Sequence, residues 1–394
     1  MKNRIGICFI LLSLISCSLK ESKIAPISLE SIPFDVDNIE KQANASFLID
    51  TLNYEIVPLE TMQDCLIGEV TNIWLRNDKI IVYDEKSKGI FVFNRDGTYY
   101  SRVLAIGQGP GEYPPIINDV VVTQSHICIF PPVAEKIFLY DFNGKFCNTI
   151  DLQGGWGNTF FTFDEKNYYL VNMWSDSGKG LYHFFRLIPE QGKIEPFHPF
   201  DESAIKERRG WGLDNYCSVY DNRALVLLST IDTIYEINNR NEFHPLYFVD
   251  IIKNRIPRKL AEGNAYTALE KSIANQYITG VVKVMESAKY IFLTMSNRNV
   301  LLYNKDKKEV EITGDQFIIP SWGNWRFRLD VQTSIEDGKL LSIIPAHDCM
   351  LIKESIESVK FEDKKFEHVY KNVLNQIENE DYNPIVFIMN LKDF

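Results

Sequence analysis

Three glycines alternate with other residues in Ile106-Gly107-Gln108-Gly109-Pro110-Gly111-Glu112-Tyr113. That spacing lets a backbone take positive φ and approach a partner closely, which a phosphate cradle requires. No Lys-Ser/Thr follows, however, and Glu112 leads into Pro114-Pro115 rather than into a helix, so the segment departs from a P-loop. Two readings remain: a crossover packed against its neighbour, or a loop turning Gln108, Glu112 and Tyr113 toward a ligand. A second group joins aromatic and basic residues: Trp156 between glycines, Arg208 and Arg209 beside Trp211, and Trp322 with Trp325 and Arg326. Indole faces stack on the C–H faces of sugar rings, and guanidinium groups meet carboxylates or hydroxyls. Large aromatics flanked by glycine also wedge between packed sheets, and both readings stay open.

Catalytic constellations are thin. The 6 histidines are dispersed, and no HExxH, GxSxG or paired His/Cys spacing occurs. His347-Asp348 has the composition of a general base with its orienting carboxylate, though an ordinary loop accounts for it equally simply. Asn94-Arg95-Asp96-Gly97 and Asp141-Phe142-Asn143-Gly144 alternate amides and carboxylates but lack the length and the closing Glu of a calcium loop. They read as hairpin turns held by Asx side chains. No cofactor and no metal is implied.

The elements that must position these residues are legible from a repeat. Residues 72–105 lie on 119–152 without a gap, at an offset of 47, with Ile80 on Ile127, Val82 on Ile129, Phe91 on Phe138, Phe93 on Tyr140 and Gly97 on Gly144. Period-two apolar alternation in a unit of 40–50 residues is the pattern of a propeller blade. Further copies are expected at about 160–200, 216–251 and 280–313, with a helical insertion over 257–277. A broken sixth copy has strands over Arg328–Ser334 and Lys339–Ile344, a charged amphipathic helix over about 354–380, and a strand from Pro384 to Leu391. It lacks a fourth strand, and Thr51–Leu59 lacks a sheet; pairing them closes a ring and removes open edges. The expected fold is all-β, a six-bladed β-propeller closed by its N- and C-terminal strands with small helical insertions. A seventh, degenerate copy within 196–216 is the competing count.

Lys2 and Arg4 precede an apolar run from Ile5 to Ile15, the pattern of a secretory signal and too short for a membrane span. Leu14-Ile15-Ser16-Cys17 resembles the bacterial lipobox, in which cleavage precedes the cysteine and that residue, here Cys17, receives the lipid. Membrane attachment through that lipid is the implied partner, at the outer membrane because no Asp stands second in the mature chain. Residues 17–45 read as a tether, and the propeller is expected over 46–394. The chain has 42 Lys+Arg and 53 Asp+Glu; losing Lys2 and Arg4 leaves 40 basic residues and moves the net charge from −11 to −13. A nucleic-acid partner is excluded on that balance, since phosphate binding needs a concentrated basic face. Cys65, Cys128, Cys147, Cys217 and Cys349 are odd in number and unclustered, which favours small buried side chains over a disulfide framework.

The Ile106–Tyr113 segment resembles the hallmark of the six-bladed β-propeller lipoproteins of Bacteroides and its relatives. Asn383-Pro384-Ile385-Val386-Phe387 is similar to that family's C-terminus, and Val57-Pro58-Leu59-Glu60 with Leu66-Ile67-Gly68 to its first blade. The likeness spans nearly the whole mature chain and implies a fold and a place in the envelope, facing the periplasm or the cell surface; no catalytic residue carries over. The leading expectation is a non-catalytic binding or docking module for a glycan or a protein partner in nutrient uptake. A glycan-active lyase or hydrolase at the channel mouth, and an envelope assembly scaffold without a small ligand, are the alternatives.

Overall fold

Strands form wherever apolar residues alternate. The computed structural model describes residues 29–173, 179–203, 217–228, 231–261, 265–327, 329 and 333–392. In the first repeat Ile80 pairs across the sheet with Phe93, and Val82 with Phe91. In the second, Ile127 pairs with Tyr140 and Ile129 with Phe138. Residues matched by the offset of 47 are therefore cross-strand partners in both copies, so the repeat preserves register as well as composition.

The chain is mostly β and is built from small antiparallel sheets taken in order along the sequence. The first sheet holds Val70–Arg76, Lys79–Asp84, Gly89–Asn94 and Tyr99–Val103. The second holds Asp119–Val122, Ile127–Phe130, Lys136–Tyr140 and Phe146–Asp151. Thr159–Thr162 opens the third sheet, Cys217–Tyr220 the fourth, Val281–Glu286 the fifth and Thr333–Glu336 the sixth. The sixth mixes the two ends of the chain: Ile385–Leu391 pairs antiparallel with Ile49–Pro58.

The six large core clusters each span two sheets. Ile81, Tyr83 and Val92 of the first sheet pack with Val120 and Ile129 of the second. Phe130 and Leu170 join the second to the third, Phe184 and Val226 the third to the fourth, Leu225 and Leu293 the fourth to the fifth, and Phe292 and Phe387 the fifth to the sixth. A further cluster puts Leu341 and Val386 of the sixth sheet against Ile80 and Phe93 of the first. Burying apolar side chains between sheets is the dominant stabilisation here, about 1.5–3 kcal/mol for each large residue.

The repeated turn glycines are required at these junctions. Gly97 and Gly144 have φ of 89° and 79°, and a Cβ on either would collide with a backbone carbonyl of the neighbouring sheet, that of Pro58 or of Arg102. Within the turns, Thr98 N donates to Asp96 Oδ1 at 3.0 Å and Asn143 N to Asp141 Oδ1 at 2.9 Å, so these carboxylates brace their own hairpins.

Two expectations are corrected. The stretch read as a tether to residue 45 is structured over much of its length: Glu30–Phe34 adds a parallel fifth strand to the fourth sheet, and Ala43–Asn44 pairs with Phe317–Ile319. Buried Ile32, Phe34, Ala43 and Ala45 hold this strap down, an apolar spacing too sparse to register as a strand pattern. The single helix expected over 354–380 is two, Ala346–Ser355 and Lys364–Gln376, because the Asp363 side chain caps a fresh start by accepting from Phe366 N at 2.9 Å. Of the strand expected over Arg328–Ser334, residues 328 and 330–332 lie outside the described residues, and Thr333–Glu336 is a strand.

Candidate functional site

In an antiparallel meander the first and third connections lie at one end of the sheet, and the second, with the exit to the next sheet, at the other. The first connections here are short. Asn77 Nδ2 donates to Gln124 O at 2.8 Å and His126 Nδ1 lies 2.8 Å from Glu165 Oε2, while Arg76 pairs with Glu336 and Arg223 with Glu286, stitching neighbouring sheets at that rim. All the long connections leave from the opposite rim, where each sheet's first strand begins. First strands lie against one another: the second sheet's with the third's, the fourth's with the fifth's, the fifth's with the sixth's, and the sixth's with the first's.

The heads of these strands are polar. Thr71, Asp119, Thr159, Cys217 and Ser334 each stand at the first or second position of a first strand, and Lys283, buried, at the third position of another. Asp119 and Thr159 are hydrogen-bonded side chain to side chain across the second and third sheets, and Val120 N donates to Asp119 Oδ1 at 2.8 Å. No lysine, arginine or histidine among the described residues forms an ion pair with Asp119. Asp119 is half-buried; desolvation pushes its pKa up to about 7, against the Thr159 hydroxyl and the Val120 amide, which lower it.

Three hydroxyls at this rim are buried without a hydrogen-bond partner: Thr71 Oγ1, Tyr83 Oη and Ser334 Oγ. Tyr83 ends the second strand of the first sheet and is only 5% exposed. Burial raises its pKa, with the charges of Tyr113, Asp119 and Asp84 adding to the shift. The Cys217 thiol, on the fourth sheet, is likewise pushed up by burial and then by Asp119. Asp119 of the second sheet is thus within electrostatic reach of residues on the first and fourth. Buried polar groups left unpaired cost about 1–3 kcal/mol each; others, such as Tyr54 Oη and Tyr370 Oη, lie elsewhere in the molecule, and these three stand at or beside the strand heads of the first and sixth sheets.

The residues singled out from the sequence fall elsewhere or in other roles. Gln108 and Glu112 are exposed, but Glu112 Oε2 accepts from Gly109 N at 2.8 Å, and a Cβ on Gly107 would collide with that carboxylate, so the glycine loop closes on itself. Tyr113, expected to face a ligand, is fully buried and donates to Lys88 O at 2.9 Å. Trp322 and Trp325 are also core residues: Trp322 stacks on Phe366 at 4.3 Å and Trp325 on Phe387 at 4.4 Å. The helix Lys364–Gln376 presents Phe366 and Tyr370 to them, and packing wins because burial there removes two indoles from water. Arg326 is exposed. Trp156 is half-buried on the connection that leads into Thr159, its Nε1 buried without a partner. Arg208, Arg209, Trp211 and Cys17 lie outside the described residues. His347 sits exposed in the first turn of Ala346–Ser355, with Nδ1 3.2 Å from Glu380 Oε1 rather than bonded to Asp348.

Asp119 escaped the sequence reading although a signal existed: the offset of 47 places Asn72 on Asp119, a polar residue heading an apolar strand in both copies.

A family model described as a domain of unknown function, DUF4934, matches residues 29–390. The chain belongs to the DUF4934 family. Among solved structures, this DUF4934 protein is similar to a Bacteroides fragilis protein described as exported, with 17% identity and a TM-score of 0.69, over 92% of this chain and 99% of that one. At that identity the likeness is one of fold. It also matches a DUF4221 family member from Bacteroides vulgatus (10% identity, TM-score 0.48, 88% and 97% covered). A virginiamycin B lyase from Staphylococcus aureus matches at 10% identity and a TM-score of 0.45, over 86% and 99%. Neither of these last two informs function. No curated protein matches the chain.

Proposed function

We propose that this protein is a lipid-anchored envelope propeller, its six sheets the blades of a closed ring, acting as a non-catalytic binding module whose site is the mouth formed by the heads of the first strands. The cyclic succession of core clusters and the pairing of Ile385–Leu391 with Ile49–Pro58 support a ring closed by both chain ends. The lipobox-like Leu14–Cys17 supports the anchor, and the exported relative in Bacteroides fragilis supports an envelope address.

One observation carries the binding reading: unpartnered buried hydroxyls and an uncompensated carboxyl gather at the rim from which every long connection leaves. Rigid sheets present the strand heads and the loops supply shape, the usual division of labour in recognition. His347 opens the helix that follows Lys339–Ile344, on a long connection leaving from this same rim, but its side chain is exposed and faces Glu380.

Ligand-observed NMR against panels of oligosaccharides and short peptides tests the reading, comparing the purified protein with a Thr159→Val/Ser334→Ala double variant of equal melting temperature. Ligands retained by the wild type are expected to be lost or weakened at least several-fold. If every retained ligand binds the variant equally well, the site lies elsewhere.

A further inference from the structure

We propose that the mouth takes a cationic group, an alkylammonium or guanidinium, seated on the Asp119 carboxylate. This deepens the binding reading above and rests on it.

Asp119 is half-buried, yet it has neither a basic partner among the described residues nor a full complement of donors: each carboxylate oxygen has a single donor, Val120 N for Oδ1 and the Thr159 hydroxyl for Oδ2. A carboxylate oxygen accepts about two hydrogen bonds, so roughly half of its capacity is unused. Burying an uncompensated carboxylate is costly, and the species that relieves that cost most is an opposite charge brought into the same enclosure.

The orphan hydroxyl beside it fits such a ligand. Tyr83 Oη, nine-tenths buried and sensing the Asp119 charge, has a free lone pair for an N–H donor, while Thr71 Oγ1 and Ser334 Oγ, at the strand heads of the first and sixth sheets, are further unpaired acceptors on the same rim. A primary ammonium offers three donors and a guanidinium five, matching one carboxylate and a set of hydroxyl acceptors. A neutral polyol would satisfy the hydroxyls but leave the charge in place. The net charge of −11 further favours the approach of cations.

The other titratable groups facing Asp119 are the Tyr83 phenol and the Cys217 thiol, both pushed upward by burial and therefore uncharged at neutral pH. Asp84, beyond Tyr83, is occupied by the Ser87 hydroxyl at 2.6 Å and by Glu69 N at 2.6 Å. Lys283, the buried cation at the third position of the fifth sheet's first strand, is not among the groups that shift Asp119, so ligand affinity should follow the ionisation of Asp119.

The probes are n-butylammonium chloride and methyl α-D-glucopyranoside, titrated by NMR into the purified protein at about pH 8 and about pH 5.5. Butylammonium is expected to bind at the higher pH and about thirty-fold more weakly at the lower, the ratio set by a carboxyl titrating near 7. Asp119→Asn abolishes that binding, Tyr83→Phe weakens it several-fold, and the glucoside does not compete. The carboxyl 13C titration of Asp119 in the wild type shifts to lower pH when butylammonium is present, a readout that does not depend on any variant folding. Butylammonium binding unchanged in Asp119→Asn, or no binding together with an unshifted titration, overturns the cation assignment. Glucoside binding at the mouth without butylammonium overturns it too but leaves the module a binder; silence of both probes and of the broader ligand panels removes both readings.

Discussion

Asp119→Asn should make the protein more stable at high pH and not at low pH. In the folded chain Asp119 titrates near 7, against 3.8 for the unperturbed group. Because its folded pKa lies above the unfolded one, the native state holds a proton that the unfolded state has released across that interval. Stability therefore falls as pH rises from about 4 to about 7 and is level above it. Each unit is worth about 1.4 kcal/mol, so the interval of roughly three units corresponds to ~4 kcal/mol, which residual solvent access around the carboxyl lowers to ~2–4 kcal/mol. Asparagine carries no charge to desolvate and keeps one acceptor oxygen, for Val120 N, while its Nδ2 takes the other place and donates to the Thr159 hydroxyl oxygen. Urea unfolding of both proteins at about pH 4 and about pH 8 measures the effect as the difference in ΔG between variant and wild type, in which other titrations cancel. That difference should move by ~2–4 kcal/mol in favour of the variant between the two pH values. An equal difference at both would show that Asp119 is not desolvated in the native state, and the account of the mouth as an uncompensated carboxyl site would fail with it.

Trp322→Ala removes a buried indole stacked on Phe366 and packed edge-on to Tyr54, and is expected to cost about 3–5 kcal/mol in urea unfolding, whereas half-buried Trp156→Ala should cost well under half of that. Gly144→Ala and Gly192→Ala both place a side chain at positive φ, but only the first meets backbone, at Arg102; thermal melting should show about 1 kcal/mol lost at Gly192 and clearly more at Gly144. Cys17→Ser should abolish incorporation of labelled palmitate and release the protein from the membrane fraction; retained label would dispose of the lipid anchor.

What the residues determine by themselves is local. Alternation at period two makes strands, and an offset of 47 that carries Ile80, Phe93 and Gly97 onto Ile127, Tyr140 and Gly144 dictates the same pairing and the same turn twice, because cross-strand partners and positive-φ turns are chosen by nearby side chains. The pairing of Ile49–Pro58 with Ile385–Leu391 was also legible, since two ends each lacked a partner. The roles of exposed and buried aromatics were not: Trp322, Trp325 and Tyr113 look like recognition residues until the helix Lys364–Gln376 and the neighbouring sheet cover them. The grouping of polar residues at the strand heads belongs wholly to tertiary structure. Asp119, Thr159, Tyr83 and Cys217 come from four different sheets, and it is the burial they share, a matter of which strands face one another at separations of up to 134 residues, that raises one ordinary carboxyl from 3.8 to about 7.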